Sequence, residues 1–218
     1  YRIFGKKINN EFGVIYDEKY PKKNVFIERI ESICDNPTID SRFIGRKDFE
    51  KEPMIIMAFL PEKNIDKIST AVINLLVKNN VIPDYRIISI NSIQTNNPKK
   101  SIEDARIMAR NSGKKGVVVL SGRQCSLGVS INNCDIVLLL NNSMKYDRIY
   151  QMMFRCMTEG KNKKCGFVVD LNIHRVIETS VNYASLIKPD IHPREAVKFI
   201  LTERLINLNG DHWMSSFG

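Results

Sequence analysis

Three polar side chains on one predicted helix have the types and the spacing to act on a ligand. The segment from about Met144 to Glu159 predicts a helix in which Gln151, Arg155 and Thr158 lie at positions i, i+4 and i+7, on one face. Its apolar side chains lie on the other face, where they would pack on a sheet: Tyr146, Ile149, Tyr150, Met153 and Met157. By spacing alone, a solvated helix face is the preferred interpretation. The alternative is that Arg155 contacts a nucleotide held by a neighbouring domain.

A polar loop with two glycines comes one strand before this helix. Residues 121–129 follow an apolar run, and ligands of open parallel sheets bind at the carboxyl ends of strands. Ser121 offers a hydroxyl, and Gly122 and Gly128 can expose backbone N–H groups to a phosphate, while Arg123 adds a positive charge. Turn geometry alone would explain a pair of glycines. The prediction therefore rests on the order of loop, strand and helix.

The elements that must position these residues alternate along the chain. Apolar runs predict five strands, at Met54–Leu60, Tyr85–Ile90, Gly116–Leu120, Asp135–Leu140 and Cys165–Leu171. Asn64 can cap a first helix, and a capping box of Ser101 and Asp104 predicts a second helix that runs to about Arg110 and stops at Gly113. Strands that alternate with helices predict an α/β fold, a parallel sheet with helices on both faces.

The two ends of the chain differ from this central part. After Asn172 the pattern predicts helices over Ile173–Ile187 and, started by Pro193, from Arg194 to about Leu208, with His192 as a helix cap rather than a ligand. Three segments are therefore predicted: residues 1–52 as a linker or the end of a preceding domain, 53–172 as the α/β domain, and 173–218 as a helical extension.

Composition limits the classes of function. The longest apolar runs fall well short of the ~20 residues of a membrane span, so no membrane partner is expected. A net charge of +9 weakly favours a polyanionic partner. The five cysteines show neither a C-x-x-C pair nor zinc-ligand spacing, which predicts buried free thiols in a reducing, intracellular compartment. The chain begins at Tyr1 without an initiating Met, so we expect it to be part of a longer protein.

Two segments resemble the second RecA-like domain of superfamily-two helicases. Residues 121–130, SGRQCSLGVS, resemble motif V, and residues 151–158, QMMFRCMT, resemble motif VI, whose family pattern is Q-x-x-G-R-x-x-R. The longer stretch QMMFRCMTEGKNKKCGFVVDLN is similar to helicase-like proteins of large nucleocytoplasmic DNA viruses, which include relatives of poxvirus-type transcription ATPases. The resemblance covers roughly residues 53–185.

The resemblance implies a division of labour between two RecA-like domains. ATP and Mg²⁺ would be held mainly by a first RecA-like domain of the same polypeptide, with none bound by this chain alone. Arg155 would be the arginine finger, and Gln151 would hydrogen-bond near the nucleotide or its attacking water. Contacts to the backbone of DNA or RNA would come from Ser121, Gly122, Arg123, Gly128 and Ser130. The implied setting is the host cytoplasm or the virion, with viral transcription machinery as a possible partner.

Departures from the family pattern leave alternatives open. Phe154 stands where motif VI has a glycine, and Thr158 stands where it has a second arginine. A catalytically degenerate scaffold that binds nucleic acid in a viral transcription or packaging complex is therefore the main alternative. The chain has no G-x-x-x-x-G-K-[ST] phosphate loop, so it should not hydrolyse ATP alone. A domain that binds a nucleotide by itself would need a glycine-rich turn where residues 60–63 read LPEK.

Overall fold

The computed structural model describes residues 52–78, 80, 82–91, 97–122, 125, 131, 134–158, 163 and 166–202. Five parallel strands form one sheet in the order β2-β3-β1-β4-β5. They are β1 (Met54–Phe59), β2 (Tyr85–Ile90), β3 (Gly116–Ser121), β4 (Cys134–Leu139) and β5 (Phe167–Asp170). Each lies where the sequence predicts a strand, with ends that differ by at most two residues. The predicted segment 1–52 lies outside the described residues except for Glu52.

The three central strands are buried along their whole length, which explains their unbroken apolar sequences. The outer strands β2 and β5 are only partly buried. Phe59 of β1 pairs with both Ser121 and Leu139, so β1, β3 and β4 end at one level. That shared carboxyl edge is where the loop predicted to bind a ligand begins.

Helices cover both faces of the sheet. They are α1 (Ile65–Lys78), α2 (Pro98–Asn111) and α3 (Tyr146–Met153). The α1 face buries Ile68, Val72, Leu75 and Leu76 of α1 against alternate residues of the central strands. The opposite α2–α3 face buries Ile102, Ala105 and Ala109 of α2 and Ile149 and Met152 of α3. This confirms the predicted α/β fold, a parallel sheet with helices on both faces.

The predicted capping box of α2 is wrong, because the N-cap lies four residues earlier than Ser101. Asn97 is the N-cap, and its side-chain oxygen accepts the Lys100 N–H at 3.1 Å, while Pro98 occupies the first turn, where its missing N–H costs nothing. Gly113 ends the helix as predicted. It has a φ of 64°, and the Gly113 and Lys114 N–H groups donate to the carbonyls of Arg110 and Ala109, as in a Schellman motif.

The chain divides into two compact units, residues 1–171 and residues 172–218. The second unit contains α4 (Ile173–Ile187) and α5 (Pro193–Thr202), which pack together through Ala184 and Ala196. The Asn172 side chain accepts the Arg175 N–H, and the Arg194 N–H donates to His192 Nδ1 at 3.3 Å, so the predicted helix cap at His192 is confirmed. None of the described helices combines the length and the apolar character that a membrane crossing requires.

Candidate functional site

The helix that carries Gln151 is shorter than predicted. α3 ends at Met153, whereas the sequence predicts a helix to about Glu159. The Phe154 N–H still donates four residues back, to Tyr150, but those of Arg155, Cys156 and Met157 donate three residues back. Such bonds tighten the chain to about three residues per turn. Residues 154–158, which we call the arginine turn, therefore leave the helical path that the prediction assumed.

This change of path corrects the predicted helix faces. Met157 is 54% exposed although the helical pattern predicts it to be buried, and Cys156 is fully buried in its place. Thr158 is exposed, and its hydroxyl donates to the Phe154 carbonyl at 3.4 Å. Gln151 and Arg155 consequently do not share one continuous helix face. Gln151 lies exposed on α3, and Arg155 lies half-buried in the arginine turn.

Phe154 stands where motif VI has a glycine, and its backbone is in the right-handed region, with φ −62° and ψ −12°. Because any L-residue adopts this conformation, the arginine turn does not require glycine there. The Phe154 ring is 57% exposed and stacks on Tyr150, with ring centroids 6.1 Å apart. The departure from the family pattern is therefore compatible with the fold.

The structure brings Arg155 close to the start of the motif V loop. Burial raises the pKa of the Cys125 thiol, and the neighbouring Ser121 hydroxyl and Arg155 guanidinium lower it by less. Cys125 is fully buried on the α2–α3 face. The guanidinium thus lies within electrostatic reach of a buried, neutral thiol.

The structure describes only some of the residues of motif V. Ser121 is fully buried as the last residue of β3, and Gly122 is buried with α1 beside it, because a Cβ at Gly122 would lie 3.3 Å from Ile65 Cγ1. The predicted nucleic-acid contacts at Arg123, Gly128 and Ser130 lie outside the described residues.

Two polar residues with a part in this region were missed by the sequence analysis. Asn141 follows β4, and its amide nitrogen donates to the Phe59 carbonyl at 3.4 Å and lies 3.3 Å from Met152 Sδ, which joins the ends of β1 and β4 to α3. Lys163 donates to the carbonyls of Cys134, Cys156 and Thr158. An asparagine directly after a buried strand was a usable signal. Nothing in the sequence distinguishes Lys163 from the other lysines.

Neither a metal cluster nor an ionised thiol supports chemistry among the described residues. In the part of the chain that the structure describes, no cluster of three or more His, Cys, Asp or Glu side chains could hold a metal ion. The thiols of Cys125, Cys134 and Cys156 are buried and free, as predicted. Burial raises the pKa of Cys134 well above its usual range and that of Cys156 to about 11, so both are protonated at neutral pH.

No protein-family model matches this sequence, and no curated protein matches it. Solved structures do match. The C-terminal part of the Fun30 ATPase domain is 11% identical with a TM-score of 0.46, over 76% of this chain and 47% of that one. The ATP-dependent Type ISP restriction-modification enzyme LlaBIII bound to DNA is 12% identical with a TM-score of 0.44, over 76% of this chain and 12% of that one.

This chain therefore spans less than half the length of either of these two structures. At TM-scores below 0.5, the two similarities carry no argument about activity.

Proposed function

We propose that this chain is the second motor domain of an ATP-dependent nucleic-acid helicase or translocase. A first RecA-like domain would hold ATP and Mg²⁺, and Arg155 would reach its phosphates across the interdomain cleft. The observation that carries the proposal is the position of Arg155, which lies half-buried in a tight turn after α3 and acts electrostatically on Cys125 in the loop that follows β3. Arginine is suited to this role because its charged, planar fork of donors matches phosphate oxygens.

The roles of the neighbouring residues follow from their exposure. MgATP supplies the phosphoryl group on which negative charge develops, and a fixed arginine that stabilises such charge accelerates the reaction. Because Arg155 is half-buried, less side-chain entropy would be lost when its tip meets the nucleotide than for a fully exposed side chain. Exposed Gln151 would hydrogen-bond to the nucleotide or to a water beside it.

Nucleic acid is the proposed second ligand, since the net charge is +9 and the motif V loop starts at the carboxyl edge of the sheet, where ligands of open parallel sheets bind. Because Ser121 is buried, its proposed contribution is to hold the start of the loop. Gly122, Arg123, Gly128 and Ser130 would then supply the contacts to the phosphate backbone. A viral origin, a role in transcription and an intracellular setting are part of the proposal, and they rest on the motif wording and on the buried free thiols.

A catalytically silent scaffold is the second candidate function. Thr158 favours it, because an exposed threonine stands where the motif has its second arginine. In that case the chain would bind nucleic acid within a larger complex without turning over ATP.

The test is the ATPase activity of Arg155→Ala, measured with nucleic acid and in the presence of the first RecA-like domain. We expect kcat to fall by about 10³-fold or more, with a smaller change in KM for ATP, because an arginine finger acts mainly in the transition state. Arg110→Ala is the matched control, since Arg110 is exposed in the last turn of α2, away from α3.

Equal rates for Arg155→Ala and Arg110→Ala would refute the arginine-finger role. Absence of ATPase activity in the parent protein, with nucleic-acid binding that both variants retain, would favour the scaffold.

A further inference from the structure

The side chain of Lys163 makes three hydrogen bonds to backbone carbonyls. Its ammonium donates to Cys134 O at 2.6 Å, to Thr158 O at 2.9 Å and to Cys156 O. An ammonium has three N–H donors, so these three acceptors use all of them. Donors with a full charge form hydrogen bonds about twice as strong as neutral ones.

The three acceptors belong to two different parts of the fold. Cys156 and Thr158 lie in the arginine turn, immediately after Arg155, whereas Cys134 is the first residue of β4. Carbonyls at and beyond a helix end lack partners within the helix and need others. Lys163 supplies such a partner, and it also ties the arginine turn to the amino end of β4.

Gly166 is a second, independent sign that the arginine turn is held closely. A Cβ added at Gly166 would lie 1.9 Å from the carbonyl oxygen of Cys156, so only glycine allows this approach. The backbone that leads into β5 therefore touches the same carbonyl to which Lys163 donates. The Lys163 side chain ties the arginine turn to β4, and the backbone at Gly166 packs against it from the β5 side.

We propose that Lys163 is a positioning residue that fixes the arginine turn on β4 and thereby sets where the Arg155 guanidinium points. This inference rests on the proposed function, because positioning matters only if Arg155 acts on a phosphate. A displacement of about 1 Å at a reacting group can lower a rate by about a hundredfold.

The experiment compares Lys163→Met with Lys99→Met. Both variants remove one positive charge and keep an unbranched side chain, and Lys99 is exposed on α2. Two quantities are measured: hydrogen exchange at the backbone amides of Cys156 and Met157, and kcat and KM of the ATPase with the first domain present. For Lys163→Met we expect exchange at least about tenfold faster and kcat lower by roughly ten- to a hundredfold, with KM within about twofold. Lys99→Met should match the parent in both.

Parental exchange or parental kcat in folded Lys163→Met would overturn the proposal. If that variant does not fold, Lys163→Arg decides. A planar guanidinium cannot direct donors to three converging carbonyls as a tetrahedral ammonium does, so we expect faster exchange and a lower kcat there too. Parental values for Lys163→Arg would equally overturn it.

The two proposals fail in different ways. If Arg155→Ala abolishes turnover while Lys163→Met does not affect it, only the positioning role is lost. If Arg155→Ala leaves turnover unchanged, the proposed function is wrong and the positioning role falls with it.

Discussion

Both faces of the sheet pack apolar side chains, but their helices differ in length and in what they pack against. On the α1 face, a continuous helix of 14 residues packs aliphatic side chains on the central strands. On the α2–α3 face, the helix of 8 residues that ends before the arginine turn shares the core with the buried thiols of Cys125, Cys134 and Cys156. One face therefore serves stability, and the other holds the group to which we assign chemistry.

The backbone is irregular where β1 pairs with β4. The register of β1 with β4 shifts between Ile55 and Ile56, and the fully buried carboxylate of Asp135 accepts the Ile55 N–H there at 2.8 Å. A bulge of this kind re-aims neighbouring side chains. Cys134, whose carbonyl accepts from Lys163, is the residue just before Asp135. The position of Arg155 therefore depends on tertiary contacts of the arginine turn and not on one regular helix.

The largest expected effect is a loss of stability on the α1 face. Leu76→Ala should lower the free energy of unfolding by about 2–5 kcal/mol, because the side chain is buried and leaves a cavity. The kcat of the folded fraction should stay within about twofold of the parent, since Leu76 packs in the core on the α1 face and Cys156 packs in the core on the opposite face. Ile149→Ala on α3 is the matched variant, with a similar loss of stability and a lower kcat. Urea unfolding and ATPase assays check both, and equal kcat values would break the contrast between the faces.

An intermediate effect is expected at Gly166. Gly166→Ala should cost about 1–3 kcal/mol, because the Cβ would meet the Cys156 carbonyl at 1.9 Å and the backbone must move. The same variant should lose ATPase activity, since the displaced atoms belong to the arginine turn. Gly122→Ala, whose Cβ would lie 3.3 Å from the flexible Ile65 side chain, should cost less than about 1 kcal/mol. Urea unfolding midpoints measure both losses of stability, and a larger loss for Gly122→Ala than for Gly166→Ala would contradict this account of the arginine turn.

The smallest effect is a dependence of stability on alkaline pH. Burial raises the pKa of Cys156 from 9.0 to about 11, so between these values the unfolded chain ionises while the folded protein keeps its proton. The stability contribution is therefore complete below pH 9 and is lost as the pH rises towards 11, by up to about 1.4 kcal/mol per pH unit. Unfolding of the parent and of Cys156→Ala should be measured at pH 8 and pH 10. The variant should lose less stability between the two, and parallel losses would rule out a buried, protonated Cys156.

The sequence predicted most of the fold because the strands carry direct signals. The continuous apolar run at Met54–Phe59 and the left-handed glycine at Gly113 both acted as expected. The start of α2 was predictable in principle, since Asn97 before Pro98 is a strong cap signal that the Ser101–Asp104 pattern displaced.

The end of α3 was not predictable from local sequence. Cys156 and Met157 are compatible with a helix, and the sequence has no glycine or proline between Arg155 and Thr158. The helix ends because other parts of the fold reach the Cys156 carbonyl. Lys163 donates a hydrogen bond to it, and the backbone at Gly166 packs against it. Such contacts leave no periodic signal. Residue types therefore made Arg155 a candidate, while its position in a tight turn required the structure.

Chemical rescue of Arg155→Ala by free guanidinium tests the central claim most directly. The ATPase rate of this variant, with the first RecA-like domain and nucleic acid present, should rise with millimolar guanidinium as the free ion replaces the missing side chain. Lys163→Met should show no such rise, because its guanidinium is present but misplaced. An Arg155→Ala protein that hydrolyses ATP at the parental rate without added guanidinium would contradict the account.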